Sequence, residues 1–205
     1  MQASKRILIN FLTITIVFLF LGSNSILADE VREIREMTKE KVDLVINTLK
    51  NSSLSKEEKK ESILKTIDGL FDFDRMAKLS LGKKYWKSLS LDGRKEFSKL
   101  FVEKLEQSYL DKLDLYTDEK VVVEEAKLKK KNRVEVLTYL VSKDDKMEMK
   151  YKLYKDRKKG WLVYDVEVLG VSIVQTYRSQ FSGYLRNNSM DKLMKKLRSS
   201  EDLGA

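Results

Sequence analysis

Apolar residues recur along this chain with two different periods, and the change comes once, near residue 114. From Val31 to about Lys112 the spacing is helical. Val31, Ile34, Val42, Val45, Ile46 and Leu49 fall mostly three, four or seven apart. Ser55 with Glu58 three residues later is a capping box that opens a second helix, and Leu54 is placed to staple its first turn. Ile63, Leu64, Ile67 and Leu70 form the buried stripe of that helix. Asp72 or Asp74 can cap a short third helix through Met76 and Ala77, which Gly82 is placed to stop. Ser90 opens the longest helix, where Phe97, Leu100, Phe101, Leu105, Tyr109 and Leu113 make one broad apolar face.

Beyond Asp114 the period is two. Val121–Val123 predicts a short strand. Arg133–Val141 is β-branched and largely apolar, as a strand covered on both faces is. Met147–Leu153 alternates apolar and charged residues. Trp161–Val168 predicts a fourth strand whose parity switches at Asp165, which calls for a β-bulge there or for cover on both faces. The basic stretches Lys127–Asn132 and Asp156–Gly160 read as hairpin turns, so the sheet is expected to be antiparallel. Gly170 ends it. Ser172 and Gln175 then have capping-box spacing, ahead of a helix that aligns Val174, Tyr177 and Phe181. Ser189 can cap a last helix carrying Leu193, Met194 and Leu197. The fold class predicted is α+β: N-terminal helices, a curved four-stranded antiparallel sheet, and closing C-terminal helices.

The N-terminus follows a different rule. Lys5 and Arg6 precede an apolar run from Ile7 to Leu21, short for a membrane span, and the chain turns highly charged after Ala28. That is the layout of a cleavable export signal over residues 1–28, leaving one domain over residues 29–205. The 205 residues include no Cys, no His and no Pro. The missing Cys and His exclude a disulfide framework, a thiol nucleophile, a Ser–His–Asp triad and an ordinary zinc site. A 42% hydrophobic and 36% charged balance is that of a folded chain. The formal charge of +9 raises the question of nucleic acid. The export signal argues against it, and many of the cations concentrate in the expected turns.

Little catalytic chemistry stands out. Glycine-rich phosphate loops are absent, and the Ser-x-x-Lys matches at Ser62 and Ser80 are as frequent as chance allows in so Lys- and Ser-rich a chain. Asp72 and Asp74 read as helix caps. Asp165 sits among apolar residues, where a carboxylate either serves as a base or bonds backbone groups or Arg178.

Three segments carry a resemblance: Phe71–Trp86, Phe97–Leu113 and Gly160–Phe181. The last contains Trp161, Tyr164-Asp165-Val166, Gly170-Val171-Ser172 and Tyr177-Arg178-Ser179-Gln180-Phe181 in order. Together they resemble the MlaC family, the periplasmic phospholipid-binding or toluene-tolerance auxiliary proteins. Leu169 departs from the pattern, which has an acidic residue there. The resemblance implies a curved sheet of the nuclear-transport-factor/cystatin-like kind. It implies a soluble carrier in the periplasm that holds phospholipid as its ligand; the chain is expected to be a non-enzymatic monomer with no metal or cofactor. Such a carrier shuttles lipid between an outer-membrane lipoprotein complex and an inner-membrane ABC transporter complex, and so maintains outer-membrane asymmetry.

Acyl chains would lie between sheet and helices, with the headgroup outside. The wall is then expected to use Phe97, Phe101, Leu105 and Tyr109 from the longest helix. The strands add Met149, Tyr151, Val163 and Val166, and the closing segment adds Val171, Val174, Tyr177 and Phe181. Met147 and Met149 suit a wall that adapts to chains of different length. The turns Lys129-Lys130-Lys131 and Arg157-Lys158-Lys159 are the candidate partner or headgroup surface. An enzyme using Asp165, and an adaptor with a filled core, are the alternatives.

Overall fold

The computed structural model describes residues 28–109, 120–143 and 145–199. Helix α1 covers residues 28–50, followed by α2 (Lys56–Ile67), α3 (Phe73–Leu81), α4 (Lys83–Ser88) and α5 (Leu91–Tyr109). The sheet follows as β1 (Lys120–Lys130), β2 (Arg133–Val141), β3 (Lys146–Asp156), β4 (Gly160–Val168) and β5 (Val171–Ser172), and α6 (Ile173–Tyr184) and α7 (Met190–Arg198) close the chain. Residues 1–27 of the expected export signal, and Leu113, lie outside the described residues.

The caps fall where hydrogen-bond chemistry asks for them. Ser55 and Glu58 form the reciprocal capping box of α2. Asp72, not Asp74, caps α3 by accepting from the Arg75 N–H at 2.9 Å. Gly82, at φ 82°, ends α3 and starts α4, a conformation that costs glycine little.

Strand order is β1-β2-β3-β4-β5, every neighbouring pair antiparallel. The sheet therefore has five strands rather than four. Leu169 and Gly170 turn the chain back with φ 50° and 79°, two positive angles that suit a tight hairpin, and β5 forms where the sheet was expected to stop. Strand β1 is also much longer than Val121–Val123. Pairing with β2 carries it through a charged stretch, with register shifts at Glu124 and Lys129. Charges and bulges of this kind protect an edge strand.

The parity switch in β4 is a bulge. Lys152 pairs with Asp165 and Leu153 with Val163, which leaves Tyr164 as the extra residue. The bulge puts Val163, Val166 and Val168 on one face together. Asp165, only 4% exposed, goes to the other face beside Lys152. Its carboxylate accepts from Ser172 Oγ at 2.7 Å, from the Val174 N–H at 3.2 Å and from Lys152 Nζ at 3.3 Å. These groups fasten the start of α6 to the sheet. Arg178 is not among them; its guanidinium lies against Gly82 instead.

Two apolar clusters result. One joins α3, α5, α6 and α7 through aromatic rings, with Phe97 and Phe181 edge to face at 5.5 Å and Phe101 and Tyr177 at 5.4 Å. The other joins Ile34 of α1 to Val123, Val134, Val136, Leu153, Val163 and Val166 of the sheet. The space between these clusters is not filled.

Candidate functional site: an apolar cavity between helices and sheet

A cavity of about 570 Å³ lies between the sheet and the N-terminal helices. Helix α1 presents Met37, Val42, Val45, Ile46 and Leu49 to it, and α2 presents Ile63, Leu64 and Ile67. Leu70, Phe71 and Phe73 close the side next to α3, while Val102, Leu105, Glu106 and Tyr109 come from the C-terminal half of α5. The floor is one face of the sheet: Val121, Leu140, Met147, Met149, Tyr151, Leu153, Val163, Val166 and Val168. The β4 bulge is what aligns the last three. Val171, 60% exposed, and Tyr109, 43% exposed, also line the cavity, and place an opening beside β5 and the end of α5.

Seven of the twelve expected wall residues lie in this lining: Leu105, Tyr109, Met149, Tyr151, Val163, Val166 and Val171. Phe97, Phe101, Val174, Tyr177 and Phe181 do not; they form the aromatic core between α5 and α6. Helix geometry accounts for the difference. The apolar face of α5 is broad enough to split into two stripes. Positions 97 and 101 point to α6, 102, 106 and 109 turn toward the cavity, and Leu105 between them belongs to both core and wall. The residues missed lie chiefly on α1 and α2. Their apolar stripes are plain in the sequence, but a stripe facing a void has the same period as one facing a core.

The polar groups in the wall are few and mostly occupied. Thr38 and Thr176 donate to backbone carbonyls one turn earlier, of Ile34 and Ser172, at 2.7 and 2.9 Å. Glu106 pairs with Lys60 at 3.5 Å. Lys41 stands 3.8 Å from Glu40, partly exposed. Burial raises the pKa of Tyr109, and that of Tyr151 to about 12, so both are uncharged O–H groups at neutral pH. Among the described residues no cluster of Asp, Glu, His or Cys suits a metal ion, and no helix is long and apolar enough to cross a membrane.

The basic turns occupy the opposite end of the sheet. Lys131 with Asn132, and Arg157 to Lys159, connect strands at the end far from Met147, Leu140 and Val121. Lys129 and Lys130 belong to β1 rather than to a turn, and Lys129 pairs with Glu135 at 3.4 Å. Asp156 accepts from the Lys158 and Lys159 N–H groups, which lowers its pKa and fixes the second turn. Six exposed cations thus share one end of the molecule, and the cavity opening lies at the other.

The MlaC protein family model matches residues 39–199, a span that takes in most of the cavity-facing helices and the whole sheet. The chain belongs to the MlaC family. It is 30% identical over 120 residues to the intermembrane phospholipid transport system binding protein MlaC of Haemophilus influenzae. That match spans 57% of this chain and 56%, little more than half, of the relative. A solved structure of similar fold is that of a phospholipid-binding protein from Ralstonia solanacearum in complex with a phospholipid. It superposes with a TM-score of 0.71 at 19% identity, over 81% of this chain and 95% of the other. The helix-plus-antiparallel-sheet architecture is thus that of a MlaC-like fold.

Proposed function

We propose that this protein is a non-enzymatic periplasmic carrier that holds a phospholipid by its acyl chains and passes it between an outer-membrane lipoprotein complex and an inner-membrane ABC transporter complex. The observation that carries the reading is the unfilled apolar cavity. At about 24 cal/mol per Å³, a dry void of 570 Å³ would cost about 14 kcal/mol. That is as large as the whole stability of a typical domain. A cavity of this size is therefore expected to hold an apolar ligand. By the measure in which a 150 Å³ cavity takes benzene, it has room for about 23 carbons, one long acyl chain and part of a second.

The chemistry of the wall suits this ligand. Burial of a methylene is worth about 0.8 kcal/mol, so a 16-carbon chain costs roughly 12 kcal/mol to expose to water. Retention needs only the apolar wall, and methionines at Met147 and Met149 let it repack. The family membership, and the names of the Haemophilus and Ralstonia proteins, support phospholipid as the ligand class. Asp165 is turned away from the cavity with both oxygens engaged, which favours a structural role over that of a base.

Native mass spectrometry of the purified protein spanning residues 29–205, followed by organic extraction, tests the reading. About one phospholipid per protein is expected. A lipid-free protein that takes up none from vesicles overturns it.

A further inference from the structure

Several tyrosine hydroxyls among the described residues are hydrogen-bonded within the protein. Tyr154 donates to Asp72, Tyr177 meets Ser108 at 2.9 Å, and Tyr85 donates to the Leu185 carbonyl at 3.4 Å. Tyr151 does not. It stands in the middle of the cavity floor, opposite Val136 and Val166 on the neighbouring strands. It is half-buried, and its hydroxyl has no hydrogen-bond partner among the described residues; the apolar surroundings raise its pKa. A lipid that fills the cavity cuts this hydroxyl off from water, and a phenol then left without a partner loses about 1–3 kcal/mol of hydrogen bonding. Phenylalanine would fill the same place without that penalty.

Its depth identifies what it can meet. Val171, on the exposed lip, pairs with Val168, which pairs with Met149. Tyr151 is two residues further along β3, about 7 Å inside the lip. A lipid whose headgroup stays outside and whose chains run inward places its glycerol ester oxygens just within the opening. Among the other polar wall groups, Thr38, Thr176 and Glu106 are already engaged, while Tyr109 and Lys41 are partly exposed to solvent.

We propose that Tyr151 is a specificity residue, whose phenolic O–H donates to an ester carbonyl of the bound lipid and so favours ester-linked over ether-linked chains. The assignment rests on the carrier reading above and adds a chemical preference to it. The acyl chains supply the affinity; the phenol distinguishes a chain attached through a carbonyl from one attached through a bare ether oxygen. A site that hydrogen-bonds a ligand group discriminates against an analogue that lacks it.

The test is a competition. Lipid-stripped protein spanning residues 29–205 is mixed with vesicles holding equal amounts of diester and diether phosphatidylethanolamine of the same chain length, and the bound lipids are weighed by native mass spectrometry. Wild type should take up the diester about fivefold more, the equivalent of one net hydrogen bond. Tyr151→Phe should bind both at the weaker, ether level, giving a ratio near one. No preference in wild type, or the same preference in Tyr151→Phe, overturns the assignment. Failure of wild type to bind either lipid overturns the carrier reading itself. A second measurement needs no variant. The carbonyl infrared band of ¹³C-ester-labelled lipid bound to wild type should lie at the hydrogen-bonded position, and a band at the free-ester position refutes the contact.

Discussion

Val166→Trp should strip the protein of lipid and at the same time stabilise the lipid-free chain. Val166 is buried in the centre of the cavity floor, paired with Tyr151. Tryptophan in its place fills space that the ligand would otherwise occupy. An indole in place of an isopropyl group takes up the room of about four methylenes, which removes about 3 kcal/mol of acyl burial. Lipid affinity should then fall about 100-fold. The same four methylenes amount to about 100 Å³ of void, so the lipid-free protein gains up to about 2 kcal/mol. For a chain of this size that raises Tm by about 5 °C, less whatever strain the ring introduces. Calorimetry on lipid-stripped protein reads the second quantity, and extraction after incubation with vesicles reads the first. Val122→Trp is the control: Val122 is half exposed and does not line the cavity, and neither quantity should move. A Val166→Trp protein that keeps lipid as well as wild type would refute the cavity as the acyl site. One that loses several kcal/mol when lipid-free would show that Val166 faces a filled core.

Three further outcomes follow from the same geometry. Asp165→Ala leaves Ser172 Oγ and the Val174 N–H buried without their acceptor, and should lower stability by about 3 kcal/mol in urea titration; an unchanged midpoint contradicts the fastening role. Tyr151 resists ionisation up to about pH 12 in the fold against 10.0 ordinarily. Its contribution is therefore complete below pH 10 and is lost as pH rises toward 12, at most about 2.7 kcal/mol. Tyr151→Phe should flatten that part of the alkaline stability curve, and an identical slope in the variant would refute the burial argument. Replacing Lys158 and Lys159 by Gln should leave lipid retention unchanged, since both lie at the end of the sheet away from the cavity opening, while weakening salt-sensitive association with acidic surfaces; a loss of retention would place the headgroup at the wrong end.

Periodicity carried most of the architecture, because a strand or helix that buries one face must repeat its apolar residues at that element's own pitch. Ser55, Asp72, Ser172 and Ser189 were legible as caps for a similar reason: each satisfies backbone donors that every helix leaves open. The β4 bulge left a mark too, an odd parity around Asp165 that a bulge or cover on both faces would explain equally. What periodicity does not carry is the identity of the neighbour. Strand β5 depends on a turn with two positive φ angles, one of them at Leu169, a residue with no local preference for it. The extension of β1 through Glu124 and Lys129 depends on β2 being there to pair with it.

The site shows the same limit more sharply. Phe97 and Phe101 on one stripe of α5, Tyr109 on the next, and Leu105 shared between them all read as members of a single apolar face. Only the placement of α6 against the first stripe makes that one core and leaves the second as wall. The stripes of α1 and α2 repeat the ambiguity, since Val45, Ile46, Leu49 and Leu64 have a core helix's spacing yet stay half-buried around a void. An apolar period records that a face is shielded from water. Whether protein or ligand does the shielding is decided by volume, and volume belongs to the assembled layers rather than to any one of them. For a lipid carrier this has a consequence: the residues most worth mutating are the apolar ones that the fold leaves incompletely covered, because there the missing contacts are the ligand's to supply.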